Sequence, residues 1–120
     1  MKRLQLSSAQ FELREGYERS VLFDSSDFGA ETKLQLMRLA PNQRIKPHYH
    51  KVRTECFKII SGDGEIRLNG ETAVSSSDDI ILCSPGDVHE FINHSLTEPL
   101  VVLVIRTNDP GNEDMIWEDK

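Results

Sequence analysis

The chain has 120 residues, enough for one domain that buries about two-thirds of its unfolded surface. With 38% hydrophobic and 28% charged residues it is too apolar for wholesale disorder. Its net charge of −6 and pI near 5.1 disfavour a nucleic-acid or anionic-membrane partner. No apolar run approaches the ~18 residues of a membrane span. No apolar stretch of signal length follows the basic opening MKRLQLSS. Cys56 and Cys83 each lie in an apolar run and read as separate small thiols, not as a disulfide framework. A cytoplasmic location is the default expectation.

Taken in order, residues 1–16 alternate weakly through Leu4, Leu6, Phe11 and Leu13, and predict an edge strand or a pairing arm. Residues 18–23 predict a strand, ended by turn residues at 24–27. Residues 33–40 (KLQLMRLA), short and set between Gly29 and Pro41, predict a strand buried on both faces. The inward residue among Lys33, Gln35 and Arg38 stays open. Residues 44–50 predict a strand at an edge or irregular, because Pro47 removes a ladder donor. In 55–60 (ECFKII), Glu55, Phe57 and Ile59 share one face, and Lys58 on the other makes the Glu55 face the inward one. Gly62-Asp63-Gly64 predicts a hairpin turn, and Asn69-Gly70 is the strongest hairpin signal in the chain. Residues 75–79 read as a polar loop and 80–83 (IILC) as a buried strand. After the turn at 84–87, His89, Phe91 and Asn93 line one face. Residues 100–105 (LVVLVI) predict the core strand. The acidic tail, 108–120, has only Met115, Ile116 and Trp117 as apolar anchors. Eight to ten short strands at 8–12-residue spacing, with no amphipathic helix, predict an all-β sandwich or barrel in one domain.

Residues 47–93 hold the side chains that suit chemistry. His48 and His50, two apart on a strand, point to one face with Cα atoms about 6.5–7 Å apart. Glu55 and His89 stand where neighbouring strands begin. Three neutral imidazoles and a carboxylate suit one divalent ion such as Fe, Mn, Ni, Cu or Zn. Four protein ligands would leave an octahedral ion two open positions, whereas tetrahedral zinc would be closed. Singly, each residue has an ordinary reading: a surface histidine pair, a solvated carboxylate, a loop histidine. His94, five residues after His89, should face away from the site, and Tyr49 should point outward. Metal affinity is expected to fall as pH drops through ~6.5, where free imidazole takes a proton.

At this point the spacing resembles the two motifs of the cupin superfamily, small single-domain bacterial members of the conserved-barrel type in particular. His48, His50, Glu55 and Gly62 fit the first motif; Gly86, His89 and Asn93 fit the second. Asn42 and Asp78 replace the two leading glycines, and Ser84 replaces a proline found one place later as Pro85. These departures touch turn geometry and leave the ligand positions filled. The resemblance covers residues 42–93, with 15 residues (63–77) between the motifs. It implies a double-stranded β-helix, or jelly roll, with the metal inside, and commonly a homodimer.

The fold does not choose among cupin functions. One expectation is a small metalloenzyme of dioxygenase, isomerase or lyase type acting on a small polar molecule, its pocket lined by Phe57, Ile59 and Phe91. A non-catalytic ligand-binding or regulatory protein is the alternative, and a metal-free descendant a third. No further general base is evident on the inward faces.

Overall fold

A computed structural model describes residues 1–111 and 114–118. Two antiparallel sheets carry the fold. The larger contains β1 (Glu12–Arg14), β2 (Tyr17–Phe23), β3 (Thr32–Leu39), β5 (Thr54–Ser61), β8 (Ile80–Cys83) and β10 (Leu100–Thr107), in the order β1-β2-β3-β10-β5-β8. The smaller contains β4 (Arg44–Tyr49), β6 (Gly64–Leu68), β7 (Glu71–Val74), β9 (His89–Asn93) and β11 (Ile116–Trp117), in the order β11-β4-β9-β6-β7. The chain is an all-β double-stranded β-helix: turn spacing predicts the all-β sandwich or barrel, and the cupin resemblance implies the β-helix. The one α-helix among the described residues, α1 (Ser25–Phe28), is a single turn where the sequence predicts only turn residues. Asp24 caps it by accepting from the Ser26 N–H, and Gly29 closes it at φ +71°.

The apolar run at 100–107 is the central strand of the larger sheet, between β3 and β5. Alternation sorts its residues: Leu100, Val102, Val104 and Arg106 face inward and are buried. The registers build cross-strand rows on that inner face. Leu39 with Leu100 forms one end; Met37, Val102 and Ile59 come next; then Gln35, Val104, Phe57 and Ile81. Lys33, Arg106, Glu55 and Cys83 form the last row. The inner face therefore runs from fully apolar to ionic along the strands. It also settles the open question on β3: Lys33 and Gln35 face inward. Arg38 faces out, ion-paired with Glu18 at 3.1 Å and stacked over the Phe11 ring.

Asn42 and Asp78, which stand where the resembled pattern has glycine, adopt the left-handed conformation at φ +60° and +59°. Asn and Asp tolerate it better than most residues, so the turns survive the replacements. Asn69-Gly70 makes the expected two-residue hairpin between β6 and β7, both residues at positive φ.

Two expectations are corrected. Gly62-Asp63-Gly64 does not make a hairpin within one sheet. It carries the chain from β5 in the larger sheet to β6 in the smaller. Glycine is needed here for room: a Cβ on Gly62 would sit 2.5 Å from the Pro99 carbonyl oxygen, and one on Gly64 2.5 Å from that of Ile92. The run IILC is not buried throughout. As β8 it is the free edge of the larger sheet, with Ile81 and Cys83 inward and Ile80 and Leu82 72% and 62% exposed. No helix among the described residues is long and apolar enough to cross a membrane.

Candidate metal centre

His48 and His50 come from the end of β4 and His89 from the start of β9, which pairs with it through His48 and His89. The register breaks between Ile45 and His48, at the Pro47 irregularity that the sequence predicts. All three histidines are buried, at 3%, 2% and 1% exposure. A ligand nitrogen from each lies within 4.8 Å of the other two, so the three side chains could hold one metal ion. His94 is turned away, half exposed and 3.4 Å from Glu65.

Each imidazole is held by its backbone surroundings. Nδ1 lies 2.8 Å from the Lys46 carbonyl oxygen in His48, 2.7 Å from that of Asp114 in His50 and 3.0 Å from that of Asp87 in His89. A carbonyl only accepts, so each Nδ1 carries a proton, and in the neutral ring the lone pair is left on Nε2. His89 Nε2 has no hydrogen-bond partner, and His50 Nε2 lies 3.4 Å from Arg53 Nη2 and 3.1 Å from Glu55 Oε1. A buried ring nitrogen without a partner, as in His89, is costly in a protein interior, and a divalent cation among the three rings would satisfy it. The three imidazoles thus fit such an ion in tautomer as well as position.

Glu55 is equally buried, from the inner face of β5. Its Oε1 lies 3.1 Å from His50 Nε2 and 3.4 Å from His89 Nε2. Two donors at right angles on an ion with ~2.1 Å bonds lie about 3 Å apart, so the carboxylate stands at a separation from these two nitrogens that suits a shared cation, while the mutually close set of ligand atoms among the described residues is the three histidines alone. Its Oε2 faces Arg106 Nε at 2.7 Å and Arg53 Nε at 3.2 Å. Burial pushes the carboxyl pKa up, but contact with His50 and His89 and the charge of Arg106 hold it well below the usual range. Burial and the neighbouring His89 push His48 down to about 3. This candidate ligand is therefore neutral already in the folded protein, and the pH ~6.5 window expected from free imidazole does not apply to it.

The Glu55 arginines escape the sequence reading, and so does Asp114. Arg53 sits in the connection before β5, with Nη1 3.3 Å from Asp109, whose Oδ2 also lies 3.8 Å from Lys33. Asp114 accepts from the backbone N–H groups of Lys51, Val52 and Arg53 at 2.8–3.1 Å. Its side chain fastens the very connection that separates the histidine pair from Glu55, while its carbonyl orients His50. Ile116 and Trp117 pair with Tyr49 and His48, and the Trp117 ring lies 5.4 Å from that of His48. Asp114, Ile116 and Trp117 of the acidic tail are therefore part of the site wall, and residues 112, 113, 119 and 120 lie outside the described residues. Cys83 lies 3.2 Å from His89 Nδ1, and burial pushes its thiol up to about 12, so it stays protonated.

Phe57 and Phe91 line the histidine cavity with Tyr17, Met37 and Met115. Ile59, the third expected lining residue, does not. It is two rows from Glu55 and borders a separate cleft with Ile66 and Ala73. Free space beside the histidines is about 10 Å³, room for about one water-sized body. A wider groove of about 330 Å³ lies outside, between Gly16, Lys46 and Trp117, and shares Ile45 with the cavity wall.

One consequence is a pH-dependent stability. Unfolded His48 takes a proton near 6.5, whereas folded His48 resists one down to about 3. Between those values the unfolded chain binds more protons, so stability rises with pH through that window and levels off above it. Glu55 adds to the acid limb, because its stabilisation is lost as pH falls through its lowered folded value. Melting curves of metal-free protein should show a falling Tm below about pH 6.5, with a shallower slope in His48→Gln. An unchanged slope in that variant would show that His48 is not held neutral.

The cupin-domain family model matches residues 35–106, which include all four candidate ligands. The chain belongs to the cupin-domain family. It is 27% identical over 112 residues to the tetracenomycin polyketide synthase protein TcmJ of Streptomyces glaucescens, covering 92% of this chain and 75% of that protein. Against the epoxidase atD of Aspergillus terreus it is 29% identical over 65 residues, 53% of this chain, and spans only 20% of that protein. Among solved structures, the polyketide cyclase RemF of Streptomyces resistomycificus superposes with a TM-score of 0.70 at 22% identity, covering 95% of this chain and 89% of that one. That likeness shows the fold alone.

Proposed function

We propose that this chain is a metalloenzyme that holds one divalent first-row ion through His48, His50, His89 and Glu55 and acts on a small oxygen-rich molecule. The observation that carries the reading is the set of three buried imidazoles, each fixed by a backbone carbonyl so that its lone pair faces the same small space. When bound, such an ion polarises a carbonyl or enol oxygen, or binds O2. The chain's own residues do the rest. Glu55 would offset one of the ion's two charges, the aromatic and apolar wall excludes water, and Tyr17 adds a phenol to the cavity wall. A substrate larger than one water would enter from a groove beside the site, either the one at Trp117 or the one bordered by Pro47, Val88 and His89. The names of two similar proteins, a polyketide synthase protein and a polyketide cyclase, favour ring-forming or ring-modifying chemistry on carbonyl-rich substrates. The ion's identity, Fe, Mn, Ni or Zn, then selects among dioxygenase, isomerase and lyase reactions.

The test is elemental analysis by plasma mass spectrometry of protein purified without added metal, followed by turnover of small poly-carbonyl substrates with and without chelator. About one metal per chain and chelator-sensitive turnover are expected. A loaded site without turnover would favour the non-catalytic ligand-binding alternative. No metal before or after reconstitution would overturn the metal reading.

The same proposal includes a homodimer formed along β8. This strand is a free edge, its outward Ile80 and Leu82 are exposed, and Ile60 beside it is 43% exposed. An uncovered apolar edge invites pairing with a second copy. Light scattering should give a mass near 27 kDa, twice the ~13.7 kDa chain. Leu82→Lys should shift it to the monomer, and a monomeric wild type would remove the proposal.

A further inference from the structure

Two buried guanidinium groups on one carboxylate are more than a ligand needs for mere neutrality. Arg106 is 6% exposed and Arg53 3% exposed. They reach Glu55 from opposite directions in the chain: Arg106 is its in-register partner on β10, and Arg53 lies two residues before it. Both approach the same oxygen, Oε2, and leave Oε1 to the two histidines. Burial opposes the Arg106 charge, but Glu55 and Tyr17 raise its pKa. Asp109 balances Arg53 from the other side. Arginine cannot give up its proton here, so the charge on Oε2 is permanently answered.

We infer that Arg53 and Arg106 are positioning residues that hold Glu55 as a one-oxygen ligand, with Oε1 toward the metal and Oε2 withheld from it. This inference rests on the metal reading above and deepens it. A clamped Oε2 cannot swing in to chelate the ion through both oxygens. It also keeps Glu55 from leaving the site to carry a proton, so a role as general base falls to another group. The coordination positions that a two-oxygen Glu55 would fill are thereby kept for substrate. Partners that orient a ligating carboxylate are worth 10–100-fold in metal affinity when removed.

The experiment loads wild type, Arg106→Gln, Arg106→Lys and Arg53→Lys with Co(II), and records affinity and the visible absorption and magnetic-resonance spectra of the ion. Circular dichroism confirms that each variant is folded. For Arg106→Gln we expect one Co(II) per chain, about 10–100-fold weaker binding, and a changed spectrum. Arg106→Lys, which restores the charge without the fork, should recover part of both. Should Arg106→Gln fail to fold, the two lysine variants carry the test through their smaller shifts in the same direction. A folded variant set with wild-type affinity and spectrum would overturn the inference while leaving the metal site intact. A wild type that takes up no Co(II) would instead sink the metal reading, and this inference with it.

Discussion

His50→Ala should come off the column with no bound metal, yet melt as cooperatively as metal-free wild type. The His50 imidazole is one of three nitrogens around a single small space, and it is the one nearest Glu55 Oε1. Its loss removes a metal ligand and leaves the Glu55 oxygen with His89 alone. Loss of a supporting partner already costs 10–100-fold in affinity, so loss of a ligand should exceed 100-fold and leave the purified protein empty. The fold, by contrast, does not hang on this residue. The truncation forfeits one hydrogen bond to the Asp114 carbonyl, about 1 kcal/mol, and opens a small cavity beside the Arg53 and Glu55 side chains. Asp114 keeps its three backbone bonds to residues 51–53 through its side chain. His94→Ala is the control: it should retain full metal, because His94 lies on the outer face against Glu65. Full metal in His50→Ala, or loss in His94→Ala, would mean that the ligand set is wrong.

The largest stability effect should come from Glu55→Gln. The substitution keeps the volume and removes the charge that stands between Arg53 and Arg106. Breaking a buried ion pair by deleting one partner costs about 3–5 kcal/mol, because the other charge stays behind without compensation. Two charges stay behind here, although Arg53 retains Asp109. Urea unfolding of metal-free protein at pH 7 should show the midpoint falling with little change in slope. Removing Arg106 as well, in the double variant Glu55→Gln and Arg106→Gln, should recover part of the loss. A midpoint within experimental error of wild type would show that the carboxylate does not hold the arginines in place.

The convergence of the candidate ligands was legible because alternation and motif spacing are local. An i, i+2 histidine pair on a strand has one geometric outcome; His89 begins the strand that pairs with it, and Glu55 reaches the same space from β5 in the facing sheet. The rest of the site depends on which strands become neighbours, and turn composition does not report that. Gly62-Asp63-Gly64 has the residues of a hairpin, but close approach to Pro99 and Ile92 makes it a passage between sheets. Ile80 and Leu82 are apolar enough to suggest burial, but β8 is at a sheet edge. Arg106 could have been flagged, since it shares parity with Leu100, Val102 and Val104 and so had to face inward. Asp114 gave no such signal: its role appears only when residue 114 returns to residues 51–53. Ile59 shows the limit of parity, which gives the face of a residue and not its depth along the barrel.

The acceptors that orient the histidines are main-chain carbonyls of residues 46, 87 and 114. No substitution at those positions can delete an acceptor, since every amino acid brings the same oxygen. Mutational drift around the site therefore acts on wall shape, charge and access well before it acts on imidazole tautomer. A designer could exchange side chains at Lys46, or among the groove residues, to recruit new substrates without having to rebuild the nitrogen donors.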